Sequence, residues 1–261
     1  MVYSRGFNRN EEFVQRGSSL SSGISKSEKI AFLEGLALFS DVSPADCSTI
    51  ISAARQENFR PWQTIFSVGD SVEQVALLLS GWIKITHPGP RGSEVILRLC
   101  GVGDVVGPFG RWHDHKHCST AQAIRPCVAL VWDTATFDDL LERFGLFSRN
   151  TVRALEQRLQ EMEQRFHEAS TEDVGSRLSS ELIRLSKRFG CAINGHQAIC
   201  LSRQELAQLT GTTLATVSRY LCRWQALGIV SIGRKMVHVC DATALTQFTE
   251  RECPLQSNDS V

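Results

Sequence analysis

A histidine-rich segment, His113-Asp-His115-Lys-His117-Cys118, carries the densest set of metal-binding side chains in the sequence. On a β-strand alternate residues share one face, so the three imidazoles would lie side by side. Imidazole and thiolate are ligands of zinc, copper and haem iron, and the segment is therefore a candidate metal or haem site. Two other interpretations stay open: a polar surface loop that binds no metal, and a redox role for the Cys118 or Cys100 thiol.

A second kind of chemistry is indicated by residues 202–226, whose pattern is typical of a helix-turn-helix. Ser202-Arg-Gln-Glu205 predicts a capping box at the start of one helix, in which each side chain satisfies a free backbone amide. We expect Gly211 to end this helix and Thr213 to cap the next one. A short turn with glycine between two helices is the arrangement that places a recognition helix on DNA.

The apolar spacing gives each of these helices an inner and an outer face. We expect the inner faces to contain Leu206 and Leu209 in the first helix and Val217, Leu221 and Trp224 in the second. The outer face of the second helix then consists of Ala215, Ser218, Arg219, Cys222 and Arg223. From that face Arg219 can donate two hydrogen bonds to O6 and N7 of guanine.

The predicted DNA contacts come from helix N-termini, the outer helix face and a hairpin tip. Hydroxyls and backbone amides at helix N-termini can hold phosphates, and two basic residues at the hairpin tip can reach the flanking DNA backbone. The predicted residues are Ser202, Arg203, Gln204, Thr212, Thr213, Leu214, Ala215, Ser218, Arg219, Arg223, Arg234 and Lys235. The alternative is a small three-helix domain without DNA, in which Arg219 is a solvated charge.

The charge balance supports DNA binding only when it is divided along the chain. The 261 residues contain 28 basic and 28 acidic residues, so the net charge of zero argues against a uniformly basic DNA-binding protein. Residues 175–245, however, hold nine basic and three acidic residues, whereas residues 1–174 hold 18 and 22. The basic excess therefore lies on the segment with the helix-turn-helix pattern.

Short apolar runs separated by turn residues extend from residue 59 to about residue 132 and predict an all-β roll. Gly69, Gly81 and Gly103 lie where tight turns are expected. The overall prediction is an α+β chain with five segments. These are a disordered tail (1–27), a β-roll sensor domain (28–147), a dimerisation helix (148–172), a winged helix-turn-helix (173–250) and a flexible tail (251–261).

The helix between the two predicted domains carries an apolar seam at alternating spacings of three and four residues. Its members are Val152, Leu155, Leu159, Met162 and Phe166. Heavily charged flanks make parallel dimerisation the favoured interpretation, because charged positions beside an apolar seam are typical of coiled coils. The alternative is a single amphipathic helix that packs on its own domain.

Other features of the composition narrow the class of protein. The longest apolar run, Val75–Ile83, is too short to cross a membrane, and the first residues lack the apolar core of a signal peptide. Nine scattered cysteines without a CxxC pair favour free thiols in a reducing compartment. We therefore expect a soluble cytoplasmic protein, and no nucleophile–base pairing or phosphate-binding loop indicates an enzyme.

The order of β-roll, long helix and winged helix-turn-helix resembles the CRP/FNR family of bacterial transcription regulators. The resemblance covers roughly residues 30–250 and is carried by VGDSVEQVALLLSGWIKI, EVILRLCGVGDVVG and LSRQELAQLTGTTLATVSRYLCRWQALGIVSIGRKMVHV. It implies a cyclic-nucleotide-binding-like roll and a homodimer that binds an inverted repeat in double-stranded DNA. It also implies RNA polymerase as a partner and an effector or redox signal received at the roll.

The sequence departs from the family pattern in the effector region, for which the resemblance implies Gly107, Pro108, Phe109, Cys118 and Ser119. Pro108 or Phe109 stands where cyclic AMP-binding members have a glutamate, and Cys118-Ser119 replaces their Arg-Ser pair. Met162-Glu163 replaces the Thr-Ser pair that contacts adenine. Without that arginine nothing offers the cyclic phosphate a bidentate partner, so we do not expect cyclic AMP to bind.

Two further departures concern the cofactor and the DNA site. The first 46 residues contain no cysteine, which argues against the N-terminal iron–sulfur cluster of oxygen-sensing members. Haem-containing gas sensors of the family hold their haem near the histidine-rich segment, so haem or a metal ion remains open. Ala215 stands where many relatives have a glutamate, and it can offer only an apolar contact such as one to a thymine methyl.

Overall fold

Eight antiparallel strands form the first half of the computed structural model, which describes residues 31–107, 116–193 and 196–250. The strands are β1 (Arg55–Phe59), β2 (Thr64–Phe66), β3 (Gln74–Ser80), β4 (Ile83–Pro88), β5 (Glu94–Cys100), β6 (Val105–Val106), β7 (Thr120–Ala123) and β8 (Cys127–Asp133). They build two four-stranded sheets, in the orders β1-β8-β3-β6 and β2-β7-β4-β5. The predicted β-roll is therefore confirmed.

Strand β8 shows why its sequence, CVALVW, is apolar at every position. Val128, Leu130 and Trp132 face a core that includes helical residues, whereas Ala129 and Val131 face the second cluster of buried strand residues. Both faces of the strand are covered, so neither face carries the polar residues of a half-exposed strand. The indole N–H of Trp132 donates to the Ile50 carbonyl at 3.0 Å, which satisfies the polar atom of this buried ring.

Helix α1 (Pro44–Ser52) packs against this roll, and Ser43 caps it by accepting a hydrogen bond from the Asp46 amide at 3.1 Å. The predicted turn glycines also have positive φ angles: +89° at Gly69, +86° at Gly81 and +84° at Gly103. At Gly81 a side chain would also collide with the Pro126 carbonyl and the Cys127 thiol. Glycine is therefore required there by both conformation and space.

Two helices follow the roll, α2 (Thr134–Arg143) and α3 (Gly145–Thr171). The Asp133 carboxylate caps α2, and Phe144 separates the two helices. Helix α3 contains nearly all of the predicted dimerisation segment, 148–172, and begins three residues earlier. Two compact units divide within it, the first ending at Met162 and the second beginning at Glu163.

The second unit combines helices with one antiparallel sheet. Its elements after α3 are α4 (Val174–Phe189), β9 (Cys191–Ile193), β10 (His196–Ile199), α5 (Arg203–Thr210), α6 (Leu214–Ala226), β11 (Val230–Gly233), β12 (Met236–Val239) and α7 (Ala242–Glu250). The sheet order is β11-β12-β10-β9, so the predicted hairpin is joined by two strands that the sequence did not indicate. Within the described residues no helix is both long and apolar enough to span a membrane.

Candidate nucleic-acid interface and effector region

Helix α5 begins with the predicted capping box. The Ser202 hydroxyl accepts from the Glu205 amide at 3.2 Å, and the Glu205 carboxylate accepts from the Ser202 amide at 2.7 Å. Gly211 ends the helix in the left-handed conformation, with φ of +63°. Leu206 is buried as expected, but Leu209 is only half-buried, because the neighbouring Ala207 supplies part of the inner face instead.

Helix α6 starts at the predicted cap, where the Thr213 hydroxyl accepts from the Thr216 amide at 3.1 Å. Its inner face is confirmed, since Val217, Leu221 and Trp224 are fully buried. These three residues fix the rotation of the helix about its axis. The opposite face is consequently directed to solvent, as a DNA-reading face must be.

The side chains predicted for the outer face of α6 lie on that face. Ala215, Arg219, Cys222 and Arg223 are exposed, and Ser218 is half-buried. The Arg219 guanidinium lies 5.9 Å from the centre of the Tyr220 ring, a cation–π distance that leaves the guanidinium open to solvent. An exposed guanidinium beside an aromatic ring retains donors for a base edge.

The other predicted DNA contacts lie in the same unit. Thr212 and Arg203 are half-buried, whereas Gln204, Thr213 and Leu214 are exposed at the starts of α5 and α6. Arg234 and Lys235 are exposed at the turn between β11 and β12, where Lys235 has a φ angle of +55°. The unit therefore offers a solvent-facing helix and an exposed cationic hairpin turn.

A buried cluster of ion pairs joins the last turns of α3 to α4, and no pattern in the sequence indicated it. Arg184 donates to both oxygens of Glu168, at 2.6 and 2.8 Å, and to Glu181 at 2.8 Å. Glu181 also accepts from Arg165 at 2.9 Å. Burial alone would raise the pKa of Glu168, but hydrogen bonds from Arg184 and Gln164 outweigh it and lower that pKa below its ordinary value.

In the part of the chain that the structure describes, no residue covers most of the predicted dimer seam on α3. Val152 and Leu159 are exposed, the exposed fraction reaches 58% at Met162 and 75% at Phe166, and Leu155 is half-buried. Large apolar side chains at helical spacing are seldom left in water unless a partner covers them. The exposure of Val152, Leu159, Met162 and Phe166 is consistent with the prediction of parallel dimerisation, which stays a prediction.

The effector region is described only in part, because Pro108 and Phe109 lie outside the described residues. Gly107 has a φ angle of +114°, and a side chain there would come within 3.0 Å of the Gln74 carbonyl. At the other end of the region, Cys118 is exposed and Ser119 is buried. An exposed thiol thus stands where cyclic AMP-binding relatives are expected to place a phosphate-binding arginine.

The histidine cluster is likewise described only from Lys116 onward, so His113 and His115 lie outside the described residues. The His117 ring is buried and stacks on Phe66, with ring centres 3.5 Å apart and planes within 5° of parallel. Burial lowers the pKa of His117, although Asp70 opposes this. In the described part of the chain, no group of three or more His, Cys, Asp or Glu residues is placed to hold a metal ion.

Both units of the chain match known protein families. The family model of the cyclic nucleotide-binding domain matches residues 56–144, and that of the Crp-like helix-turn-helix domain matches residues 176–248. The global nitrogen regulator of Nostoc sp. is 30% identical over 198 residues, which cover 74% of this chain and 89% of that protein. Both halves of the sequence thus have relatives of the same architecture.

Two further relatives support the same assignment. The CRP-like cAMP-activated global transcriptional regulator of Mycobacterium tuberculosis is 24% identical over 212 residues, which cover 80% of this chain and 95% of that protein. The solved structure of FixK2 from Bradyrhizobium japonicum matches with a TM-score of 0.65 and 20% identity, over 75% of this chain and 96% of that chain. At that identity the structural likeness shows the fold alone.

Proposed function

Because the chain belongs to the CRP/FNR family of transcription regulators, we propose that it is a homodimer that reads an inverted repeat in DNA under the control of an effector or redox signal. The observation that carries this proposal is the outer face of α6, which is exposed while its inner face is fully buried. A symmetric dimer presents two such helices, and these would enter successive major grooves about one helical turn apart.

Each predicted contact has a role in this proposal. Arg219 recognises guanine, and Ala215 makes an apolar contact that a glutamate could not make. The helix N-termini at Ser202 and Thr213, together with nearby Gln204, hold phosphates. The remaining contacts are phosphate or groove contacts from Arg203, Thr212, Leu214, Ser218, Arg223, Arg234 and Lys235. The half-site would therefore differ from that of relatives with glutamate at the position of Ala215.

The second copy of the chain is proposed to cover the exposed seam on α3. Leu159, Met162 and Phe166 repeat at spacings that place them on one stripe of the helix, and their exposure is consistent with an apolar interface that forms on dimerisation. RNA polymerase is the protein partner that we propose for the DNA-bound dimer, since regulation of transcription must finally act on it.

The effector is proposed to bind at the β-roll, but the side chains present do not fit cyclic AMP. The exposed thiol of Cys118 cannot pair with a phosphate as the expected arginine would. A haem or metal sensor is the second candidate for the input, through His113, His115, His117 and Cys118. The stacking of His117 on Phe66 favours a packing role for that ring.

Selection of bound sequences from random DNA tests the proposal, followed by measurement of Arg219→Ala on the selected site. We expect the variant to lose about 1–3 kcal/mol on that site and little on unrelated DNA, because a base contact is lost. Arg234→Ala is the matched control, since loss of a phosphate contact should weaken binding to both DNAs alike. If Arg219→Ala weakens both equally, α6 is not the recognition helix.

A further inference from the structure

Tyr220 lies on α6 between the buried face and the solvent-facing one, and it is half-buried. On the inner side its ring packs against the fully buried Trp224 ring, with centres 5.7 Å apart and planes tilted by 47°. On the outer side the Arg219 guanidinium lies 5.9 Å from the centre of the same ring. One ring therefore contacts both the core of the second unit and the arginine that we propose to recognise guanine.

Gly175, in the first turn of α4, is where the Tyr220 ring meets a second helix. A Cβ atom added at Gly175 would come within 2.7 Å of Tyr220 Cε1 and 3.1 Å of Tyr220 Cζ. The ring consequently lies against the α4 backbone, in space that a side chain at position 175 would fill. Glycine is less favourable than alanine within a helix, and this close approach explains why glycine stands there.

Hydrogen bonds fix the start of α4 and hence the position of Gly175. The Asp173 carboxylate caps the helix, because its Oδ1 accepts from the Gly175 amide at 2.6 Å and from the Ser176 amide at 3.1 Å. The Ser176 hydroxyl lies 2.9 Å from the Phe248 carbonyl oxygen of α7, to which it donates. The backbone that supports the Tyr220 ring is therefore held by its own cap and by a neighbouring helix.

We propose that Tyr220 is the positioning residue for Arg219, and that Gly175 provides the seat that holds the Tyr220 ring in place. This inference rests on the proposed function, in which Arg219 recognises guanine. A free arginine side chain loses rotamer freedom when it binds a base edge. A ring that attracts the guanidinium confines it near α6 before DNA binds, which lowers that cost and leaves its donors available to the base.

Fluorescence anisotropy of the full-length chain on two labelled duplexes tests the positioning role. One duplex is the site selected from random DNA, and the other has the recognised guanine replaced in one half-site. The ratio of the two Kd values measures base discrimination at that half-site. We expect Tyr220→Leu to reduce this ratio about two- to fivefold, because the attraction of an exposed cation–π pair sets the size of the effect. Binding to DNA of unrelated sequence should stay nearly the same.

Two further variants separate positioning from a general effect on the fold. Tyr220→Phe keeps the ring and removes only the hydroxyl, so it should retain the discrimination of the natural chain. In the Arg219→Ala background, Tyr220→Leu should not change the ratio further, since the side chain that the ring positions is gone. Leucine keeps an apolar side chain against Trp224, and circular dichroism checks that each variant is folded.

Gly175→Ala tests the seat without altering α6. The added methyl group would displace the Tyr220 ring, so this variant should lose discrimination as Tyr220→Leu does. The same Cβ would lie 3.0 Å from Asp173 Oδ1, so the double variant with Tyr220→Leu is also needed. It should lose no more than Tyr220→Leu alone if displacement of the ring is the cause.

Gly145→Ala is the matched control for the glycine substitution. Gly145 also belongs to a helix, α3, and among the described residues no atom lies within 4 Å of a Cβ added there, apart from its chain neighbours and its own helix. This variant should therefore discriminate between the two duplexes as the natural chain does.

The outcomes separate this inference from the function on which it rests. Unchanged discrimination in Tyr220→Leu would overturn the inference, and an equal loss in Tyr220→Phe would too, because the hydroxyl would then be the group that matters. A loss that persists in the Arg219→Ala background would show that Tyr220 does not act through Arg219. If the natural chain selects no DNA sequence at all, the proposed function itself is refuted.

Discussion

Replacing Arg184 by methionine removes the centre of the buried ion-pair cluster while keeping the length of the side chain. Glu168 would lose both hydrogen bonds from Arg184, and its side chain is only 6% exposed. Removing one partner of a buried ion pair costs about 3–5 kcal/mol, because the other charge is left uncompensated. Arg184 is itself 35% exposed and Glu181 keeps its bond to Arg165, so we expect about 2–4 kcal/mol.

Hydrogen exchange of the α4 amides in the full-length chain measures this loss, because it reports the opening of the second unit without requiring two-state unfolding of both units. A loss of 2–4 kcal/mol corresponds to roughly 30- to 900-fold less protection. Lys187→Met is the matched control on the same helix: Lys187 is exposed, and its replacement should change stability by less than about 0.5 kcal/mol.

The stability difference between the natural chain and Arg184→Met should depend on pH, which a loss of packing alone would not cause. The pKa of Glu168 is lowered in the folded chain, so its ion pair contributes stability above the ordinary glutamate pKa of about 4.3 and loses it as the pH falls further. The difference between natural chain and Arg184→Met should therefore shrink in acid. A loss of protection below about threefold, or one that is constant with pH, would refute the assigned role.

Three other predictions address the seam, the thiols and the cofactor. Leu159→Lys places a charge in the proposed dimer interface and should give a monomer by light scattering, whereas a surviving dimer would exclude the seam as the interface. Burial raises the pKa of the Cys127 thiol to about 12. This thiol should therefore resist alkylation at pH 8, whereas the exposed thiols of Cys118 and Cys222 should react. Early modification of Cys127 would contradict its burial. Purified protein should show no Soret band and no stoichiometric metal, because the His117 ring is engaged with Phe66, and either signal would favour the haem or metal interpretation.

Local interactions were predictable from the sequence, because the residues that make them are neighbours in the chain. The capping box at Ser202 and Glu205 spans four residues, and the cap at Thr213 is set by the turn that precedes it. Strands β9 and β10 were not predicted, since three and four residues are too few to show a period. Strand β9 pairs with β10, and β10 in turn pairs with β12, which lies about 40 residues later.

Contacts between residues that are far apart in the chain could not be predicted from the sequence. Arg184 and Glu168 are 16 residues apart on two helices, and only the packing of α3 against α4 brings them together. Each resembles an ordinary solvated side chain in the sequence, because burial and neighbouring charge are properties of the tertiary structure.

The net charge of zero does not decide whether the chain can bind DNA, because the positions of the basic residues matter more than their sum. Not every basic residue of the segment 175–245 is available to DNA, because Arg184 is committed to two buried carboxylates. The cations that remain exposed include Arg219 and Arg223 on α6 and Arg234 at the hairpin turn. Phosphate attraction depends on such exposed charges rather than on a whole-chain sum. The chain can therefore be neutral overall and still present a cationic helix face and hairpin to DNA.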